Sequence, residues 1–242
     1  MDYLSNLLNK YDLSLDDNKL QQFLDYYNLL VEWNEKINLT AITDYKEVCL
    51  KHFLDSLSLV KMFDSLEDMC KHFTGKTLCD VGTGAGFPGI PLKILLPELR
   101  VTLFDSLDKR VRFLNEVITK LKLDGIEAVH GRAEDLARTE YRASFDYSTA
   151  RAVASLPVLC EYCIPFLKEG GTFIAYKSDV DSEIQNSEHA LSVLGGEIVS
   201  RENFSLSDDS ETIDRSIIFI KKSGVTPDTY PRKAGKPSKQ PL

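Results

Sequence analysis

Thr77-Leu78-Cys79-Asp80-Val81-Gly82-Thr83-Gly84-Ala85-Gly86-Phe87-Pro88-Gly89 is the stretch that decides the fold. Its first five residues read as a strand buried on both faces. Three glycines at alternate positions then let the backbone turn sharply and approach a ligand with no Cβ in the way. A helix is expected from Pro88 or Gly89 to Leu96, with proline tolerated in its first turn and Pro97 stopping it. In open α/β sheets, ligands bind outside the carboxyl ends of the strands, near the topological switch point. The turn is therefore a cofactor-site candidate.

Outward from this stretch, strands and helices alternate. Arg100 to Phe104, Ile126 to His130, Phe145 to Thr149 and Gly171 to Tyr176 read as strands. Asp108 to Leu123 reads as a helix with Val111, Leu114, Ile118 and Leu121 inward, and another helix lies near Val158 to Leu167. Such alternation implies parallel strands joined by right-handed crossovers. The far end breaks the pattern. Glu197 to Ser205 and Ile213 to Lys221 are strand-like runs separated only by Leu206 to Thr212, which permits an antiparallel pair but no parallel crossover. The expected fold is α/β and Rossmann-like: a seven-stranded sheet with an antiparallel terminal pair.

Ahead of the sheet, residues 1–74 read as a helical extension. No glycine precedes Gly75, and the remainder holds all 13. Ser14 with Asp17 is expected to form a capping box, followed by Leu20, Phe23, Leu24, Tyr27, Leu30 and Val31 at helical spacing. A second helix is expected to start near Asp44 and to bury Leu50, Phe53, Leu54, Leu57 and Val60. Three regions follow: residues 1–74 helical, 75–222 catalytic, and 223–242 a basic tail.

Composition narrows the function. With 242 residues, 43% hydrophobic and 27% charged, the chain can bury a full α/β core plus an extension. No apolar run approaches the roughly 18 residues that cross a bilayer. The amino terminus shows no secretory leader. Five cysteines without framework spacing suit buried thiols in a reducing cytosol, so a cytoplasmic location is expected. Cys160 and Cys163 fall inside an amphipathic helix and read as core rather than as a redox pair. The Asp208–Glu211 run reads as a solvated hairpin tip. A net charge of −8 argues against non-specific coating of nucleic acid, yet the last residues carry Arg232, Lys233, Lys236 and Lys239 with no acid. That basic strand suits either docking on phosphate or a solvated tail without a partner.

Two cofactors compete for the turn. Gly84 to Gly89 satisfies the dinucleotide pattern G-x-G-x-x-G, with Asp105 about 20 residues on. Three features favour S-adenosylmethionine instead. Asp80 stands two residues before Gly82 in a longer acid-x-Gly-x-Gly-x-Gly form, the sheet ends in an antiparallel pair, and no separate substrate domain remains. Gly82 and Gly84 would then cradle the cofactor. Asp105 would accept its ribose hydroxyls or cap the following helix. Ala133 and Glu134 would lie beside the adenine. Arg151 at the fourth strand's end reads either as a contact to substrate or as a surface ion pair.

The turn from Asp80 to Gly89 resembles that of the bacterial glucose-inhibited division protein B family, the small-subunit ribosomal RNA guanine-N7 methyltransferases. Trp33 to Ala41, Lys51 to Ser56, Gly131 to Asp135, Thr149 to Val153 and the Tyr230 to Leu242 tail are similar to that family in the same order. The resemblance implies a class I S-adenosylmethionine-dependent methyltransferase. It further implies methyl transfer to N7 of one guanine in 16S ribosomal RNA or the small-subunit particle, with cofactor contacts at Gly82, Phe87, Ala133, Glu134 and Arg151. No membrane or metal partner is expected.

Guanine N7 carries an exposed lone pair and no proton, so in-line attack on a sulfonium methyl needs no general base, and no catalytic side chain is expected. Proximity and alignment are what the protein must supply. Asn38, Lys51, His52 and Asp55, with Arg232 and Lys233 of the tail, are the RNA-contact candidates. The helical group reads equally as a polar network locking the helices to the catalytic region. His52 reads as a hydrogen-bonding group rather than a metal ligand, since no second His or Cys lies at ligand spacing. A small-molecule methyltransferase of the same fold and a dinucleotide-dependent oxidoreductase are the alternatives.

Overall fold

The computed structural model describes residues 2–178 and 180–242. Seven strands form one sheet: β1 (Thr77–Val81), β2 (Arg100–Asp105), β3 (Ile126–His130), β4 (Phe145–Arg151), β5 (Leu167–Lys177), β6 (Gly196–Ser207) and β7 (Thr212–Lys222), in the order β3-β2-β1-β4-β5-β7-β6. The pairs β1·β2, β2·β3, β1·β4 and β4·β5 are parallel, whereas β7 runs antiparallel to both β5 and β6. The topology thus reverses between β1 and β4, which opens a crevice at their carboxyl ends. The expected terminal hairpin is present.

Helices cover both faces. On one face lie α1 (Asp2–Asn9), α2 (Asp17–Ile37), α3 (Tyr45–Val48), α4 (Asp55–Leu57), α5 (Leu66–Phe73), α6 (Gly89–Leu95) and α7 (Asp108–Leu121). After the short α8 (Ala133–Leu136), the other face carries α9 (Leu156–Cys163), α10 (Asp181–Asn186) and α11 (Glu188–Leu194). A last turn, α12 (Lys236–Lys239), closes the chain. The sequence reading gave no helices between β5 and β6; α10 and α11 are only 6 and 7 residues long, too short for a periodicity signal.

Side chains alternate between two cores with the period of two that strands impose. Leu78, Leu103, Ile174 and Ile217 face the amino-terminal helices; Cys79, Phe104, Phe173, Ala175 and Ile218 face α9 and α11. Cys160 and Cys163 are buried in the second core, as expected. The amino-terminal helices share the first core, so their apolar stripes are satisfied only on the sheet. Phe23 packs on Phe53 at 4.9 Å, Tyr26 packs on Phe87 at 5.4 Å, and the Tyr26 hydroxyl donates to the Ala85 carbonyl. Each such buried aromatic contributes about 1.5–3 kcal/mol.

One local expectation is corrected. The N-cap of α2 is Asp16, whose carboxylate accepts the Lys19 amide at 2.8 Å, and not Ser14. A cap must precede the first helical residue directly to reach that amide, and Ser14 lies two residues too early. The second helix does begin at its Asp44 cap, then widens into a π-helical stretch over Cys49–Leu54 before α4. Such a stretch is over-represented at functional sites.

Gly89 has no room for a side chain: a Cβ there would stand 2.4 Å from a Leu103 methyl and 2.9 Å from Asp80 Oδ2. Gly89→Ala is expected to destabilise the fold by about 1–3 kcal/mol through overpacking, read as a lower urea midpoint at unchanged slope.

Candidate active site

Asp80 organises the turn. It is fully buried at the end of β1, and its Oδ2 accepts the Thr83 hydroxyl at 2.7 Å and the Gly89 amide at 2.8 Å. The turn is tied to the neighbouring strand as well, because the Gly82 and Thr83 amides both donate to the Phe104 carbonyl. Gly82 and Gly84 have φ of +71° and +62°, the left-handed region that glycine enters without strain. Oδ1 of Asp80 is buried without a hydrogen-bond partner. Burial raises its carboxyl to about 6, against the lowering effect of the Thr83 and Gly89 bonds. Ionisation at pH 7 therefore costs the fold about 3 kcal/mol, which is lost stability as pH rises from the ordinary carboxyl value through 6. A lone carboxylate oxygen held at that cost is complementary to a cation, such as the ammonium of a methionyl group.

Above the turn lies a crevice of about 340 Å³, lined among others by Gly82, Asp105, Arg110, Ala133, Glu134, Ala152, Val153, Tyr162 and Ser238. Asp105 at the end of β2 is buried; its carboxylate accepts the Gly84 amide at 3.0 Å and the Leu107 amide at 2.9 Å, with the Arg110 guanidinium 3.4 Å away. It thus clamps the glycine turn and starts α7 together. A carboxylate offers about four lone-pair positions, so ribose hydroxyls remain within its capacity. Glu134, buried in the first turn of α8, accepts the Gly235 amide at 2.8 Å. Open glycine backbone, a carboxylate at the second strand and an unpartnered Asp80 oxygen together fit S-adenosylmethionine.

A second cleft of about 380 Å³ adjoins the first, and Ala152 lines both. Its walls include Lys51, His52, Asp55, Arg151, Lys177, Glu183 and Arg215. Asp55, 2% exposed, receives Arg151 on one oxygen and Arg215 on the other, each at 2.8 Å. The Arg151 guanidinium lies over the Phe87 ring at 5.1 Å, and His52 stacks on that ring at 4.6 Å. His52 is neutral, because burial and then the Arg151 charge push its imidazole down to about 3. Its Nδ1–H donates to the Lys51 carbonyl, and Nε2 accepts the Thr40 hydroxyl at 2.9 Å.

The structure sorts the sequence candidates. Gly82, Asp105, Ala133 and Glu134 meet at the crevice, with Gly84 bonded to Asp105. Phe87 and Arg151 are not among its lining residues; Arg151 lines the second cleft and lies over the Phe87 ring. The RNA candidates differ in what they touch within the protein. Asp55 is spent on two guanidinium groups, and His52 has both nitrogens occupied within the protein. Arg232 turns inward onto Glu161, its side chain 17% exposed. Asn38 is the left-handed C-cap of α2; its backbone N–H donates to the Asn34 carbonyl, and the residue is exposed. Lys51 reaches the cleft while pairing with Glu47 and Glu211; Lys233 is exposed. The hairpin tip is not merely solvated: Asp208 accepts the Tyr3 hydroxyl, and Asp209 pairs with Lys10.

Arg215, Lys177, Glu183, Tyr162 and Ser238 escaped sequence reading. Arg215 meets Asp55 across 160 residues, a pairing without local signal. A hollow of about 550 Å³ beside Tyr147 and Thr172 lies toward the amino-terminal ends of β4 and β5, away from the edge where such sheets bind ligands. No cluster of metal-ligating residues occurs among the described residues.

This fold with this crevice defines a class I S-adenosylmethionine-dependent methyltransferase. Structures of the same fold include M. jannaschii TYW2 in complex with AdoMet, with a TM-score of 0.50 at 14% identity over 65% of this chain and 74% of that one. P. horikoshii TYW2 in complex with MeSAdo scores 0.50 at 12% identity, over 64% and 61%. The family model described as GidB, rRNA small subunit methyltransferase G, matches residues 19–212, and the chain belongs to that family. Proteins named Ribosomal RNA small subunit methyltransferase G are similar throughout. That of Lachnoclostridium phytofermentans is 52% identical over 97% of this chain and 94% of its own length. That of Staphylococcus aureus strain JH9 is 45% identical over 100% and 98%.

Two outcomes test the site. Protonation of Asp80 removes the partner of a cationic cofactor, so S-adenosylmethionine affinity should fall about tenfold between pH 7 and pH 5, and Asp80→Asn should flatten that dependence in calorimetric titrations. Asp55→Ala leaves two guanidinium groups facing each other without a counter-charge. It should lower stability by about 3–5 kcal/mol in denaturant melts.

Proposed function

We propose that the protein transfers a methyl group from S-adenosylmethionine to N7 of one guanine in 16S ribosomal RNA, as the free RNA or within the small-subunit particle. Family membership supports the RNA class, and the junction of two clefts at Ala152 carries the geometric part. The bound cofactor supplies a methyl group on a positively charged sulfur. Everything else falls to alignment.

Gly82, Gly84, Asp105 and Glu134 hold the nucleoside, while Asp80, buried beneath the glycine turn, supplies negative charge for the methionyl ammonium. Beyond Ala152, the second cleft seats the guanine against the Lys177–Glu183 pair, 2.7 Å apart, and the Arg215 guanidinium, which keep further donor and acceptor positions for the base edge. Arg151, fixed by Asp55 and laid on Phe87, forms the partition between the two seats. N7 forms its bond to the methyl carbon as the carbon–sulfur bond breaks, and the positive charge passes to the base. No proton leaves N7, which matches a site whose only imidazole is held neutral. Neutral His52 also adds no charge to repel the cationic product. The base must leave its stack to enter, which single-stranded RNA loops permit. Lys51, Lys233, Lys236 and Lys239 supply phosphate contacts around the opening.

The test is tritiated-methyl transfer onto 16S RNA and small-subunit particles from a strain lacking this protein, followed by mapping. Label at N7 of a single guanine is expected; label on adenine or cytosine overturns the assignment. Transfer should weaken steeply with salt, and Lys233→Ala with Lys239→Ala together should reduce the log–log salt slope by about 1–2. A small-molecule enzyme would show no such slope.

A further inference from the structure

In sequence the tail reads as a basic strand, either docked on phosphate or solvated. In the structure it is strapped down along much of its length. Arg142 donates to the carbonyls of Thr226 at 2.9 Å and Tyr230 at 2.8 Å, and Arg138 donates to that of Pro231. Glu161, buried on α9, takes the Arg232 guanidinium in a fork at 2.6–3.0 Å and also the Arg232 amide at 2.6 Å. Pro237 is buried, whereas Lys233, Lys236 and Lys239 face solvent. This is an anchored segment whose basic side chains point away from its anchor.

Its end reaches the cofactor crevice. The Gly235 amide donates to Glu134, and Ser238 stands in the crevice lining together with Tyr162 and Glu134. Glu134 belongs to the wall that holds the nucleoside, so the strap and the cofactor share one carboxylate. A group held between two partners couples them: whatever fixes Glu134 for one ligand fixes it for the other.

We infer that residues 232–239 form a wall of the S-adenosylmethionine site, with Ser238 and the Gly235 amide as cofactor-positioning groups, so that tail docking and cofactor occupancy are a single linked equilibrium. The inference rests on the methyltransferase reading above. It assigns Arg232 a positioning role through Glu161, acting on the nucleoside end of the crevice and not on RNA. Linkage is reciprocal. If the docked strap raises cofactor affinity, the cofactor must hold the strap docked by the same factor.

The full chain is digested with trypsin, with and without S-adenosylhomocysteine, and cleavage after Lys233 and Lys239 is followed by mass spectrometry. Cleavage after Lys10, outside the crevice, is the reference. At least fivefold slower cleavage of the tail bonds with the nucleoside is expected, with the reference unchanged. In parallel, Ser238→Asp puts a second carboxylate into the crevice lining that includes Glu134, at an exposed position that leaves folding intact. Its dissociation constant for S-adenosylhomocysteine should rise at least fivefold. Equal tail cleavage in both conditions, or unchanged affinity in Ser238→Asp, would overturn the inference while leaving the methyltransferase reading standing. A wild-type chain that fails to bind the nucleoside would bring down both.

Discussion

A carboxylate buried at the end of β1 is the constraint on which the site depends. Asp80 has no water to solvate it, so the chain must supply donors, and it does so by folding the glycine turn back over the strand. The Thr83 hydroxyl and the Gly89 amide converge on one oxygen, which fixes where the turn leaves the strand and where α6 begins. The other oxygen is left bare. Burying an unpaired polar atom is expensive, and such atoms persist where a ligand completes them. The same glycines that let the turn close also keep its outer surface as backbone, which is what a nucleoside needs to approach closely.

A second buried carboxylate plays the complementary part. Asp55 comes from the helical extension, whereas Arg151 and Arg215 come from β4 and β7. One charge therefore ties the extension to the sheet at the wall of the second cleft. The apolar side of this joint, Tyr26 and Phe53 with Phe87, continues the contact to the cofactor turn itself. The extension thus shares one core with the sheet and supplies part of the wall of the second cleft.

Much of this was legible in the linear chain. The strand ending in Asp80, the glycine turn, and Asp105 about 20 residues on mark the cofactor edge because each is a local backbone requirement. The hairpin at the far end was legible from loop length alone. The cap of α2 was misplaced by two residues, since Ser14 and Asp16 are both good capping types and only the helix start chooses between them. The helical patch at Lys51 to Ser56 was left between RNA contact and structural lock; its Asp55 turned out to be the lock, because its partners lie about 100 and 160 residues away.

What the sequence determined by itself was everything set by short-range geometry: strand and helix periodicity, the turn that glycine permits, and the family that shares these residues. Tertiary structure alone decided which charges face solvent and which face each other. Arg232 and Lys233 are adjacent and equally basic in the chain, yet one is turned inward onto Glu161 and the other is exposed to solvent. Desolvation and pairing depend on what arrives from distant elements, and no local pattern records that arrival.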